Sequence, residues 1–264
     1  MAKHMEQSNH FELLSRDCDS LTYFESLTST QDFFQQNWRE MPQFSVCIAD
    51  FQERGRGRYQ RHWQAPKQTS LLMSVLIPLD SNIDYGWATF AGALAAREAC
   101  AKILPAQKIL LKWPNDVVSM QGQKIGGVLG EVLGERDGML FGAIGVGINI
   151  LQAKNELLAT ATSLRMLDSS LQGEFKIVRE ALAVLFLNEL KQNLQLQKTD
   201  VLSKMSLHCI DIGKVRNLQT RIGKISGTVR GIGANGELIL GNHLITPDQM
   251  AQNALLEPDF VTKK

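Results

Sequence analysis

Apolar residues recur along this chain with two different periods, and the changes of period mark its elements. Phe175, Val178, Leu182, Leu185, Phe186, Leu190 and Leu194 stand at helical spacing, which predicts an amphipathic helix over 174–197. A further helical stretch runs to about residue 206. Gly86 to Ile103 is alanine-rich and predicts another helix. Residues 30–40 (TQDFFQQNWRE) predict one more, with Ser29 or Thr30 as its N-cap. Short β-favouring runs lie between them at 44–50, 71–78 and 109–113, the last stopped by Pro114, which cannot donate to a ladder. Lys124 to Leu133 and Met139 to Ile150 flank an Asp137–Gly138 pair suited to a tight turn, so they predict a hairpin. The stretch from Leu164 reads as irregular.

From Ile212 the texture changes to short strand-like runs broken by glycine: KVRNLQ, RIGKISGTVRGIG, ELILG and HLITP. Asn235–Gly236 is a strong hairpin signal. The prediction is a mixed β-sheet packed with helices, of α/β or α+β class, over 1–210, and a small β-barrel over 211–264. Gly231-x-Gly233-x-x-Gly236 matches a dinucleotide fingerprint by letter. A strand pattern follows it where a helix should receive the pyrophosphate, so turn glycines are the better account.

Composition narrows the classes without naming one. Lys and Arg total 28 against 27 Asp and Glu, a formal charge of +1. That balance excludes a surface that coats nucleic acid or anionic membrane as a whole. The longest apolar run, Leu71 to Leu79, contains Ser74 and Pro78 and falls well short of the roughly 18 residues that cross a bilayer. The N-terminus has no apolar signal region. Cys18, Cys47, Cys100 and Cys209 are scattered, with no C-x-x-C pair. Free thiols in a reducing cytoplasm are therefore expected, rather than disulfides or a zinc site.

The charge is nevertheless clustered. Arg54, Arg56, Arg58 and Arg61 fall within QERGRGRYQRHW, residues 52–63. Gly55 and Gly57 between them let the backbone approach a ligand closely. Guanidinium forks and exposed amides suit a carboxylate or phosphate. Without an anion such a loop repels itself and should be mobile. A solvated loop or an RNA-contacting segment fits the same composition. A second cluster, Lys112-Trp-Pro-Asn-Asp116, puts a lysine at a strand end, where polar groups reach a crevice. That lysine is either a functional cation or one that snorkels to solvent. In the third cluster, strand alternation puts Leu140, Ile144, Val146, Ile148 and Ile150 on a core face. Met139, Phe141, Ala143, Gly145, Gly147 and Asn149 lie on the other face, and the partner strand carries Gly126, Gly127 and Gly130. Such glycines signal close approach by a ligand or backbone, or tight sheet-on-helix packing.

In this order the clusters resemble the biotin–protein ligases. The family pattern is G-R-G-R-x-x-R-x-W, then K-W-P-N-D, K-[IL]-x-G-[IV]-L-x-E and G-x-G-x-N. The chain has Gly55-Arg-Gly-Arg58 with Arg61 and Trp63, Lys112 to Asp116, Lys124-Ile-Gly-Gly-Val-Leu-Gly-Glu131, and Gly145-Val-Gly-Ile-Asn149. The resemblance covers roughly residues 20–263. It implies a class II synthetase-like catalytic domain with an SH3-like C-terminal barrel. It assigns Ser29, Thr30, Gln31 and Gln52 to the biotin ureido ring, with Gly57, Gly126, Gly145 and Gly147 lining the biotin site. Arg56, Arg58 and Lys112 go to the biotin carboxylate and phosphates. Arg58, Arg61, Trp63, Asn115 and Asn149 go to ATP, with Trp63 stacking on adenine. Gln31 stands where the family has Asn, and Tyr59-Gln60 where Arg-Gly is common.

The implied reaction joins biotin to ATP as biotinyl-AMP, with Mg²⁺ as cofactor and Arg58 and Lys112 catalytic. It then passes biotin to a lysine of a biotin carboxyl carrier protein of acetyl-CoA carboxylase. Only 28 residues precede Ser29, too few for a three-helix DNA-binding domain, so a monofunctional enzyme that binds no DNA is expected. Self-association as a homodimer accompanies the resemblance, with no interface to be located in the sequence. Two other readings stand beside it. One is a lipoate or octanoate ligase or transferase of the same fold, although the R-R-x-x-G-G-G-type signature is absent. The other is a non-catalytic RNA or protein adaptor using the arginine loop.

Overall fold

The computed structural model describes residues 11–79, 85–171 and 174–250. Residues 251–264 of the expected C-terminal unit lie outside the described residues. So do residues 1–10, the start of the expected catalytic unit. The chain opens with α1 (Glu12–Asp17), β1 (Ser20–Phe24), α2 (Thr30–Asn37) and β2 (Ser45–Ala49). A small hairpin, β3 (Gly55–Arg56) and β4 (His62–Trp63), precedes β5 (Ser70–Leu79) and α3 (Tyr85–Ile103). Next come β6 (Leu110–Lys112), β7 (Asp116–Val118), β8 (Lys124–Arg136) and β9 (Met139–Asn149). Helices α4 (Leu164–Leu167), α5 (Phe175–Gln195) and α6 (Lys198–His208) follow. The described chain closes with β10 (Val215–Thr220), β11 (Gly223–Ile232), β12 (Leu238–Leu240) and β13 (His243–Ile245).

Seven strands make one mixed sheet in the order β1-β2-β5-β9-β8-β7-β6. Only β1 and β2 pair in parallel; the other neighbours are antiparallel. The β8–β9 hairpin turns at Asp137 (φ 54°) and Gly138 (φ 76°), two positive values that suit a tight primed turn. On one face Val46, Ile48, Leu71, Met73, Val75, Ile77, Ile144, Val146 and Ile148 join the main core. Helices α3 and α5 cover that face and pack on each other. Gly92 of α3 lies so close to the sheet that a Cβ would meet Ile144 at 2.8 Å, and one on Gly130 would meet Thr89 Oγ1 at 2.2 Å. For Gly130 the packing explanation therefore holds.

The other face is also buried, which the alternation in β9 did not indicate. Phe141 and Ala143 join Phe34, Trp38, Cys47 and Leu76 in a second, smaller cluster. Helix α2 lays Phe34 into it and is capped by Ser29, whose hydroxyl accepts from Gln31 N. The large phenyl of Phe34, fully buried, anchors α2 with about 3–5 kcal/mol at stake on truncation to alanine. Helix α2 covers the Phe141–Ala143 part of this face and reaches Gly145 through Gln31 at its N-terminus.

Three further elements differ from expectation. α1 and β1 precede the first predicted helix; β1 is an edge strand whose residues are all half-buried, so its five-residue pattern is weak. The stretch at Leu164 forms the short helix α4, capped by Ser163 Oγ accepting from Met166 N at 3.3 Å. The C-terminal strands form, among the described residues, a four-stranded antiparallel meander, β10-β11-β12-β13. Gly231 to Gly236 ends β11 and turns into β12, with Gly236 at φ 84°, as expected of turn glycines. This meander packs beside α3, α6 and the turn after β6. Trp113 Nε1 donates to Gly236 O at 2.9 Å, and a Cβ on Gly236 would strike the Phe90 ring at 2.1 Å. All four cysteines are free, and among the described residues no helix is long and apolar enough to cross a membrane.

Candidate active site

Sheet register lines up one row of residues across five strands: Lys112, Asp116, Gly127, Gly147 and Leu72. Directly opposed residues share a face, so this row brings the K-W-P-N-D turn to the glycine floor. Two residues along β9 a second row runs through Leu129, Gly145, Ser74 and Cys47. Same-face positions two apart lie about 7 Å from each other. The site occupies these two rows, between the N-terminus of α2 and the β3–β4 hairpin.

The Gly145 row is polar and tightly wired. Gln52 Oε1 accepts from Thr30 N at 2.8 Å and from Thr30 Oγ1 at 3.1 Å. Ser74 Oγ donates to Thr30 Oγ1 at 2.7 Å. Gln31 lies over Gly145, where a Cβ would come within 3.1 Å of its side chain. Its Nε2 donates to Leu129 O at 3.0 Å, while its Oε1 is buried without a partner. A buried acceptor left open in this way awaits a donor.

The Gly147 row carries an aromatic and charges. The Trp63 indole rests on Gly147, whose absent Cβ would lie 2.6 Å from Cε2. Close approach at both floor glycines is therefore made by the chain's own Gln31 and Trp63. Trp63 Nε1 is also buried and unpartnered. Lys124 Nζ stands 5.6 Å from the ring centroid and 2.6 Å from Asp116 Oδ1. Lys112 Nζ is bonded to none of the described residues. Burial pushes its ammonium below the usual lysine value, against the pull of Asp211 and Asp116. An unpaired, half-buried cation beside a floor of this kind is a place for an anion.

The arginines divide. Arg58 Nη1 reaches Asn115 Oδ1 at 3.4 Å, bringing the loop onto the K-W-P-N-D turn, and Nη2 donates to Tyr59 OH at 3.0 Å. Asn115 is itself held by Nδ2 donating to Val128 O at 2.7 Å. Arg56 instead meets the chain's own carboxylates: Nη1 donates to Glu131 at 3.0 Å and to Asp32 at 3.1 Å. Burial raises the Glu131 carboxyl and Arg56 pulls it back, with the net value above the usual range. Here the loop's self-repulsion is answered internally. Arg61 is exposed, and its carbonyl accepts from Gly57 N at 2.8 Å to close the loop.

Two predicted residues stand apart from the rows. Asn149 is 4% exposed; its Nδ2 donates to Thr162 O at 3.1 Å and its Oδ1 accepts from Gln152 Nε2 at 3.0 Å. Gly126 pairs with Ile148 of the main core, so Gly127 faces the site in its place. Ser74, Asp116 and Lys124 join the site without being expected there from the sequence. Asp116 and Lys124 already stood inside quoted motifs, whereas Ser74 left no signal in an apolar run.

Residues 23–149 match the Biotin/lipoate A/B protein ligase family. The biotin–[acetyl-CoA-carboxylase] ligase of Mycobacterium tuberculosis is 37% identical over 123 residues, 45% of this chain and 44% of that one. The chain thus spans less than half the length of that relative. The bifunctional ligase/repressor BirA of Escherichia coli is 27% identical over 230 residues, 85% of this chain and 70% of its own. In fold, the chain is similar to biotin protein ligase from Aquifex aeolicus, solved in complex with biotin and ATP. There the TM-score is 0.69 at 24% identity, with 90% of this chain and 96% of that one covered.

Proposed function

The chain carries a biotin/lipoate A/B protein ligase family domain over residues 23–149, and from that premise we propose that it is an ATP-dependent biotin–protein ligase. The observation that carries this is the pairing of open groups on the two glycine rows. Among the described residues Gln31 Oε1 and Trp63 Nε1 are buried without partners, and the Lys112 amine, in the row of Gly147, has no bonded partner. A ureido ring supplies the N–H that the Gln31 oxygen lacks, beside the Thr30–Gln52–Ser74 network. A carboxylate meeting phosphate supplies the anion that Lys112 lacks. The Trp63 ring is a face on which a purine stacks once the indole shifts from Gly147.

The chemistry follows from charge. The biotin carboxylate oxygen attacks the α-phosphorus of ATP, an O–P bond forms, and the bond to pyrophosphate breaks. Negative charge gathers on the phosphoryl oxygens, so fixed cations lower the barrier. Lys112 and Arg58 are the catalytic cations in this proposal. Arg56, Gly57 and Arg61 shape the loop around them, while Asn115 and Asn149 hold the nucleotide side from behind. In the second step an acceptor lysine attacks the acyl carbon and AMP leaves. Covering the anhydride with the loop slows its loss to water. Magnesium bound with ATP phosphates needs only one or two protein carboxylates; Asp116 on the Lys112 row would be that carboxylate, giving up Lys124, which it meets at 2.6 Å.

The acceptor in this reading is a biotin carboxyl carrier domain of acetyl-CoA carboxylase, and the setting is the cytoplasm. Homodimer formation belongs to the same reading. The division into a catalytic unit at 1–210 and a C-terminal unit at 211–264 belongs to the same proposal, with the meander closing into an SH3-like barrel. The bridge between Thr220 and Met250, which returns the chain to the end of β10, supports that closure. Pyrophosphate–ATP exchange with biotin, lipoate or octanoate as the added acid tests the function. Exchange with biotin is expected. Exchange with lipoate or octanoate alone transfers the site to the lipoate branch of the family. Exchange with none, together with salt-sensitive RNA binding, leaves only an adaptor.

A further inference from the structure

Tyr59 lies inside the arginine loop at φ 57° and ψ 41°. A bulky residue enters this left-handed region only where its surroundings hold it. Arg58 Cζ stands 4.9 Å from the Tyr59 ring centroid, within cation–π range. Arg58 Nη2 also donates to the Tyr59 hydroxyl at 3.0 Å. That hydroxyl in turn donates to Pro247 O, 188 positions along the chain. The phenol thus spends its one proton on a carbonyl and a lone pair on the guanidinium.

Pro247 is no loose anchor. It opens a short 3-10 turn, Pro247–Gln249, with a capping interaction from Thr246 N donating to Gln249 Oε1 at 2.8 Å. Arg221 N donates to Gln249 O at 2.9 Å, and Met250 bridges Thr220, so the turn is fixed to the β10–β11 hairpin. The meander is fixed to the catalytic sheet at a separate place, through Trp113 and Phe90 at Gly236. A continuous path therefore runs from Asn115 through Arg58 and Tyr59 to the C-terminal strands. The cation that meets the K-W-P-N-D turn is held from both ends.

We infer that Tyr59 is a positioning residue that fixes Arg58 on the nucleotide side of the site and latches the arginine loop to the C-terminal meander. The latch stands on contacts alone; its effect on ATP rests on the ligase reading. Tyr59→Phe keeps the ring and its stacking and removes only the hydroxyl. Losing that bond is expected to speed amide hydrogen exchange about fivefold in both 55–63 and 246–250. The KM for ATP in pyrophosphate–ATP exchange should rise by about the same factor and kcat should fall with it, because Arg58 is one of the catalytic cations, while the KM for biotin moves less. A merely structural role would not separate the two KM values.

Unchanged amide exchange at 246–250 overturns the latch. Faster amide exchange with both KM values unchanged, or moved equally, overturns the positioning role. If the parent protein catalyses no biotin-dependent exchange, the ligase reading fails, and the amide-exchange comparison still decides the latch. Tyr59→Ala removes stacking as well and should exceed Tyr59→Phe in both readouts. If that variant does not fold, Tyr59→Phe alone remains decisive.

Discussion

Arg179 and Asp50 form an ion pair in which each side chain is 1% exposed, and the pair holds both ends of the arginine loop. Asp50 closes the strand that feeds the loop. Its Oδ2 accepts from Gln68 Nε2 at 2.7 Å and from Tyr23 OH at 2.9 Å, and its carbonyl accepts from Gln68 N at 3.1 Å. Gln68 stands where the loop returns to β5, at φ 58°. Arg179 comes from α5 and lies 4.7 Å from the ring centroids of both Phe11 and Phe175. A helix far along the chain thus anchors Asp50, the residue that ties the two ends of the loop together.

Removing one partner of this buried pair strands the other charge. Arg179→Met is expected to cost about 3–5 kcal/mol, read as a lower urea midpoint. Burial raises the Asp50 carboxyl, yet the bonds from Gln68, Arg179 and Tyr23 prevail and hold it below the usual range. A depressed carboxyl stabilises the fold fully above its unfolded value near pH 4. That contribution is lost as pH falls through the folded value. Asp50→Asn should therefore flatten the fall of the urea midpoint below about pH 4. An unaltered fall would show that other carboxylates carry it.

Lys112→Ala should lower biotin-dependent pyrophosphate exchange by roughly 10²-fold or more, with the melting temperature unchanged because the amine has no partner to lose among the described residues. The amine must be charged to act, and burial lowers its pKa. Exchange should therefore decline with rising pH from below the ordinary lysine value of about 10.4. Lys112→Arg should push that decline to higher pH. A decline at the same pH in both proteins would assign it elsewhere.

In the proposed ligase the two floor glycines serve different substrates, although the resemblance assigns both to biotin. A methyl at Gly145 comes within 3.1 Å of Gln31, whereas one at Gly147 lies 2.6 Å from the Trp63 indole. Gly145→Ala should raise the KM for biotin more than that for ATP, and Gly147→Ala should do the reverse. Gly130→Ala, which meets Thr89 of α3 at 2.2 Å, should lower the melting temperature with little change in either KM. Steady-state kinetics beside thermal melts distinguish the three. Equal shifts of both KM values in the first two variants would contradict the assignment of rows.

Glu131→Gln tests what Arg56 is for. The pair is partly exposed, 33% and 20% for the two side chains, so its loss should cost no more than about 1 kcal/mol. Its effect should instead be local, with trypsin cutting the arginine loop several-fold faster. A clear fall in melting temperature without faster cleavage would make the pair a stabiliser of the sheet rather than a tether of the loop.

Much of this was legible in the residues. Helix periodicity over 174–197 and the alanine run before Ile103 predicted α5 and α3, because burial on one stripe leaves a 3.6-residue signature. The Asp137–Gly138 and Asn235–Gly236 turns were readable because few residues tolerate positive φ. The edge strand β1 was not, since its half-buried residues alternate weakly. The second buried face was missed too: a glycine-rich strand carries no pattern to announce that α2 covers part of it.

By itself, the sequence determined the chemistry at hand, because residue type and local spacing decide which groups can bind anions, cap a helix or clear a floor for a ring. It placed Lys112, Arg58, Trp63 and the glycines in ordered motifs. Tertiary structure decided which groups remain free. Arg56 and Arg58 stand two residues apart in one motif, yet Glu131 and Asp32 engage the first while Asn115 and Tyr59 hold the second. Lys124 has Asp116 at 2.6 Å, while the Lys112 amine, in the same row as Asp116, has no bonded partner among the described residues. Charge neutralisation depends on distances of a few ångströms between residues remote in the chain, and only the packed sheet supplies those distances.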